Sequence, residues 1–307
     1  MAYRSGTVQA NGVRLAYEEV GDPQDPAILL IMGLGAQLVH WPEPLVDGLA
    51  AGGFRVIRYD NRDAGLSTHL NQFRPTHPLI VAAAKAIGLR PKVPYKLPDL
   101  ARDALGLLDS LGLARAHLVG ASMGGMIAQL VAADAPDRVL SLTSIMSTSG
   151  ARGLPGPPAE LRRRLLAKRP EGSDRETLVR FGVELMDAIG TPGGRGDVER
   201  RALVERALDR AYNPAGVRRQ LLAILASGGR ADALARIRVP TLVIHGTADR
   251  LVPKEGGVDT AARVRGARLE LIEGMAHDLP PKEVPRIVEL ICEHAKAAAR
   301  AREALAA

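Results

Sequence analysis

The stretch "VGASMGGMIAQ" at 119–129 sets Ser122 two residues from Gly120 and two from Gly124, where a strand-like apolar run gives way to a helix-like one. That G-x-S-x-G spacing has a physical logic. A tight strand-to-helix turn lifts the hydroxyl clear of its neighbours in a strained backbone, and only small flanking residues fit around it. Five residues can fall into this pattern by chance, so the context must decide.

A serine hydroxyl becomes an effective nucleophile only when a base takes its proton. Seven histidines are available. His117 and His245 fall within or at the end of strand-like runs, His294 falls in a helix-like run, and His40, His69 and His77 precede the serine. Folds that carry serine on such a turn order their triad serine, acid, histidine along the chain, which leaves His277 in "EGMAHDLPP". The competing reading of His277 is a solvated loop histidine. Asp249 in "VIHGTADRLVP" is the acid expected to hold the second ring nitrogen, against the plainer role of a turn or capping aspartate. Asp278 is expected to point elsewhere, Asp232 lies in a different segment, and Asp259 belongs to a helix. No HxxH or HxxxH pair is present to support metal ligation, so zinc is not expected.

The developing oxyanion needs two N–H donors. One should be Met123, directly after the serine. The other should come from Gly33-Leu34-Gly35-Ala36, whose glycines let the loop turn back over the preceding strand, with Leu34 preferred. The same glycines could also be plain turn residues.

These parts require strands and helices to carry them. "GTVQA" and "VRLAYEEVG" flank an Asn11-Gly12 turn and read as a hairpin. The run "PAILLIMG" reads as a buried strand, "PEPLVDGLAAGG" as a helix and "FRVIRYD" as a further strand. Residues 61–98 read as irregular. In "LPDLARDALGLLDSLG", Leu100, Ala104, Leu107, Leu108 and Leu111 share one helix face. The alternation "AHLVGA", "SMGGMIAQLVAAD", "RVLSLTSIM" predicts a mostly parallel sheet covered on both faces. Residues 148–236 break that pattern with a Gly/Pro-rich linker and about four helical runs. It resumes with "RVPTLVIHG", "KEGGVDTAARVRG", "ARLELIEG" and a last helix from about Val284. The expected division is a core of 1–147 and 237–307 with a helical cap at 148–236.

Composition narrows the class. With 46% hydrophobic and 24% charged residues, the 307-residue chain reads as a soluble globular protein. Without an apolar leader or a membrane-length apolar run, the expectation is cytoplasmic, with no membrane partner. The net charge of +7 is dispersed; its densest cluster, "LRRRLLAKR" at 161–169, alternates with leucine as a solvated helix face would, and no nucleic-acid motif accompanies it. The single cysteine, Cys292, reads as a buried thiol.

With the parts in this order, the chain resembles the α/β-hydrolase superfamily over essentially its full length. "IMGLGAQLVHW", "VIRYDNRDAGLST" and "VGASMGGMIAQ" are most similar to the bacterial esterase branch that includes the aclacinomycin methylesterase-like proteins. The resemblance implies an eight-stranded, mostly parallel sheet, a helical cap between strands six and seven, and a triad of Ser122, Asp249 and His277. Asp60, Arg62, Gly65 and Ser67 match a recurring family turn taken as structural. Met32-Gly33 replaces the usual His-Gly, which leaves Gly35 as a second candidate for the oxyanion donor. The function this implies is a cofactor-independent carboxylesterase acting on a small-molecule ester, with Trp41 and Leu34 as candidate pocket lining and Trp41 equally a core anchor. Alternatives are a lactonase, an amidase or C–C hydrolase, a non-catalytic small-molecule receptor, or a cofactor-free oxygenase. Oligomeric state stays open, a homodimer included.

Overall fold

A computed structural model describes residues 2–89, 91–166, 172 and 174–306. Eight strands make one sheet: β1 (Arg4–Ala10), β2 (Val13–Val20), β3 (Ala27–Ile31), β4 (Arg55–Tyr59), β5 (Ala116–Ala121), β6 (Val139–Ile145), β7 (Thr241–Gly246) and β8 (Arg268–Ile272). They lie in the order β1-β2-β4-β3-β5-β6-β7-β8. The β1–β2 and β2–β4 pairings are antiparallel and the rest parallel. The expected mostly parallel eight-stranded α/β sheet is therefore what the chain forms.

Period-two alternation builds a core on each face. Leu29 and Ile31 of β3 join the cluster beneath α3 (Leu97–Ser110) and α4 (Met123–Asp134). Ile28 and Leu30 join the opposite cluster beneath α1 (Glu43–Ala51) and α11 (Val284–Ala306). All four side chains are completely buried, each such burial contributing about 1.5–3 kcal/mol. Parallel strands covered on both faces explain why β3 reads as an unbroken apolar run. Trp41 is fully buried in the α1/α11 core, so it is an anchor of the fold and not a pocket wall. Cys292 is only half-buried at the edge of that cluster.

One helix stands where the sequence read as irregular: α2 (Pro78–Ala86), with Pro78 in its first turn, where a missing N–H costs nothing. Between β6 and β7 lie α5 (Ala159–Leu166), α6 (Arg175–Ile189), α7 (Asp197–Arg210), α8 (Pro214–Ser227) and α9 (Ala231–Arg236), with no strand among the described residues. The "LRRRLLAKR" cluster begins in α5, with Leu161 buried and Arg162 to Arg164 exposed; its residues 167–169 lie outside the described residues. The remaining helix, α10 (Glu255–Arg263), connects β7 to β8.

Candidate active site

Ser122 sits between β5 and α4 at φ 55°, ψ −119°, a left-handed conformation that is strained for a residue with a side chain. Its N–H is tied to the Ile145 carbonyl at 2.9 Å. A Cβ on Gly120 would collide with the Gly124 carbonyl, and one on Gly124 with the Ile31 carbonyl. The glycines are thus required sterically: the chain doubles back on itself and α4 runs hard against the end of β3.

The three side chains singled out in the sequence are brought together from three loops. His277 Nε2 lies 3.0 Å from Ser122 Oγ, and His277 Nδ1 lies 2.7 Å from Asp249 Oδ2. Asp249 is 5% exposed and His277 9%, so the chain of hydrogen bonds is largely shielded from water. Asp249 Oδ1 accepts the N–H groups of Leu251 at 2.9 Å and Val252 at 2.8 Å, which fixes the carboxylate plane. Burial works against its charge, but His277, His245 and the Val252 N–H outweigh that, holding its pKa down at about 2. An ionised Asp249 can only accept, so Nδ1 of His277 carries the proton. Nε2 is then left with a lone pair facing the serine hydroxyl. The His277 N–H donates to Ile189 O at 3.0 Å, so α6 helps to fix the imidazole loop.

Asp278 turns away as expected, accepting from the Thr191 N–H and hydroxyl. Asp259 lies on α10 and Asp232 on α9. His245, dismissed in the sequence as a strand histidine, is adjacent to the site: its Nε2 donates to Val252 O at 2.8 Å and lies 3.5 Å from Asp249 Oδ2. Its spacing of four residues before Asp249 was the available signal.

The loop after β3 is held from a distance. The Gly35 N–H donates to Gln220 Oε1 of α8 at 2.8 Å, and Gln220 Nε2 donates to Arg62 O at 2.8 Å. Gly35 is therefore engaged, while the Leu34 N–H has no partner among the described residues. Met123 opens α4, so its N–H has no acceptor within the helix. Gly33 approaches so closely that a Cβ there would lie 3.0 Å from Ser122 Cβ.

Asp60 and Asp63 have a role beyond the expected structural turn. Both are buried; Asp60 accepts from Arg210 Nη2 of α7 at 3.1 Å and Asp63 from Arg219 Nη2 of α8 at 2.6 Å. Each thus ties the core to the helical segment. Arg62 pairs with Asp103, and Ser67 donates to Asp60 O.

A cavity of about 610 Å³ opens on Ser122 and His277 and is walled by Met126, Leu185, Leu221 and other mostly apolar side chains from the sheet end and from the helices between β6 and β7. That size suits a drug-sized ligand. Among the described residues no group of three or more His, Cys, Asp or Glu side chains is arranged to hold a metal, and no helix is long and apolar enough to cross a membrane.

A strained serine at a strand–helix turn, with histidine and aspartate on later loops of an eight-stranded sheet, defines a class of protein. The α/β-hydrolase family model matches residues 26–283, and the chain belongs to that family. It is 34% identical to a rhodomycin D methylesterase of Streptomyces sp. strain C5 and 32% identical to one of Streptomyces peucetius. Each alignment covers 93% of this chain and 96% of the relative. Among solved structures, the enol-lactonase of Burkholderia xenovorans superposes with a TM-score of 0.73 over 94% of this chain and 99% of its own, at 24% identity.

Proposed function

We propose that the chain is a serine carboxylesterase acting on a small-molecule ester, with residues 148–236 as a cap over the site. The observation that carries this reading is the hydrogen-bonded run Ser122–His277–Asp249, opening on a ligand-sized cavity. Similarity to two methylesterases over nearly the whole chain supports esters as the substrate class.

In this reading Ser122 Oγ attacks the ester carbonyl while His277 Nε2 takes its proton, and Asp249 stabilises the imidazolium that forms. The N–H groups of Leu34 and Met123 receive the oxyanion; Gln220 occupies Gly35 and so favours Leu34 over its neighbour. His277 returns the proton to the departing alcohol. Water, deprotonated by the same histidine, then attacks the acyl carbonyl, and collapse of that intermediate frees the acid and restores Ser122. Each step uses these groups and water alone.

The test is a 4-nitrophenyl ester chain-length series on wild type and Ser122→Ala. A loss of kcat on the order of 10³-fold or more is expected for the variant, together with fluorophosphonate labelling of Ser122 in the wild type. Fast turnover by Ser122→Ala, or labelling at another residue, would overturn the assignment.

A further inference from the structure

The cavity is apolar along most of its wall, yet its charged lining is one-sided. Among the described residues Arg162, Arg195, Arg200 and Arg218 face it, against the single carboxylate of Asp278, which is already engaged by Thr191. Arg195 is the informative member. It is half-buried, and its guanidinium reaches only the Leu279 carbonyl, at 3.5 Å. Arg200 stands behind it: its Nη1 donates to Arg195 O at 2.8 Å, its Nη2 pairs with Asp197, and its Nε is buried without a partner. A guanidinium presents five N–H donors in a planar fork suited to a carboxylate, and at the half-exposed Arg195 most of that fork is free of protein partners among the described residues.

The location is fixed relative to the reacting groups. Thr191 Oγ1 accepts the Ala276 N–H at 2.8 Å, Ile189 O accepts the His277 N–H, and Gly194 packs on Pro280. The 189–195 loop is therefore stitched to the loop that carries His277, so Arg195 is held at a constant offset from the imidazole. His40 also lines the cavity and feels the Arg195 charge. Burial pushes the His40 pKa down to about 4, opposed by the Gln37 carbonyl and aided by the Arg206, Arg210 and Arg195 cations; it is neutral at pH 7 and brings no second positive charge.

We propose that Arg195, backed by Arg200, is an anion-recognising subsite, and that the preferred substrates are esters carrying a second, ionised carboxyl group at the far end of an apolar body. The subsite rests on the ester-hydrolase reading of Ser122. It adds a substrate class to that reading: half-esters of dicarboxylic acids or larger acidic esters. The apolar wall takes the body of the molecule, and the Arg195 fork takes its free carboxylate.

The experiment compares kcat/KM for mono-4-nitrophenyl adipate, suberate and sebacate with that for neutral 4-nitrophenyl acyl esters of matched length. These chains are long enough to keep the substrate's own carboxylate from attacking its ester. Wild type should favour at least one half-ester on the order of ten- to a hundredfold, carried by a lower KM. Arg195→Ala should collapse that ratio, and Arg195→Lys should restore part of it. A wild type indifferent to the carboxylate, or a ratio unmoved in Arg195→Ala, overturns the subsite. Calorimetric binding of suberate separates the two readings. If no ester is turned over, suberate binding that is lost in Arg195→Ala still supports the subsite and only the esterase reading fails; absent or Arg195-independent binding rejects the subsite.

Discussion

His245 and His277 meet on one oxygen of Asp249: Oδ2 lies 2.7 Å from His277 Nδ1 and 3.5 Å from His245 Nε2. The Val252 carbonyl, 2.8 Å from the same nitrogen, can only accept, so His245 Nε2 carries a proton and its dipole points toward the carboxylate. Nδ1 is then bare, and it has no partner in the packing against Gly257. His245 thus shares the task of keeping Asp249 ionised.

Removing that donor should make Asp249 a stronger acceptor and hold the His277 proton more tightly. In His245→Phe, kcat should fall about tenfold and the acid limb of the kcat/KM profile should move to higher pH. His245→Gln, whose amide can still donate, should recover much of both. A purely structural role would lower the melting temperature and leave the pH profile in place.

Gln220 braces the loop proposed to receive the oxyanion, as His245 braces Asp249. Gln220→Leu releases the Gly35 N–H and leaves the Arg62 carbonyl without its donor. The loop that presents Leu34 then loses its tether, so kcat on a 4-nitrophenyl ester should drop about tenfold with KM changing far less. A raised KM with kcat unchanged would place Gln220 in substrate binding instead.

What the sequence disclosed depended on distance along the chain. The Ser122 turn was legible because strand, glycines and helix are all local, and chain order then selected Asp249 and His277. The proposed preference for Leu34 over Gly35 rests on Gln220, which lies 185 residues from Gly35, so local sequence did not disclose it. The turn from Asp60 to Ser67 read as structural for the same reason. Its arginine partners, Arg210 and Arg219, lie 150 residues from Asp60 and 156 from Asp63. Helix α2 escaped notice because only Pro78 and Val81 are buried, while Leu79 and Ile80 are exposed, so no amphipathic stripe marks it.

The Asp63–Arg219 pair, both side chains at most 1% exposed, should be a strong tie between core and helical segment. Asp63→Asn leaves a buried guanidinium without its counter-charge and should cost about 3–5 kcal/mol in urea unfolding. Replacing both residues, as Asp63→Leu with Arg219→Met, should cost clearly less than the two single changes added together, because neither charge is then stranded. Additive losses would mean that the pair is not coupled. Limited proteolysis within 148–236 should accelerate in Asp63→Asn if the tie also holds the segment down.

His117 makes the stability of the fold depend on pH. It is 1% exposed on β5, edge-on to Phe54, with Nδ1 2.8 Å from Ser141 Oγ and Nε2 without a partner. Burial, with the nearby His294, pushes its pKa down from 6.5 to about 4. The sign follows: the unfolded chain takes up a proton below about 6.5 that the folded chain refuses until about 4. The stability this neutral ring contributes is complete above pH 6.5 and is lost as the pH falls toward 4. Between pH 7.5 and 5.0, wild type should therefore lose roughly 2 kcal/mol more in urea unfolding than His117→Gln, which cannot titrate yet can still bond Ser141. His40 is shifted in the same direction but is present in both proteins, so its contribution cancels in the comparison. Parallel losses in the two proteins would show that His117 accepts a proton without unfolding the strand.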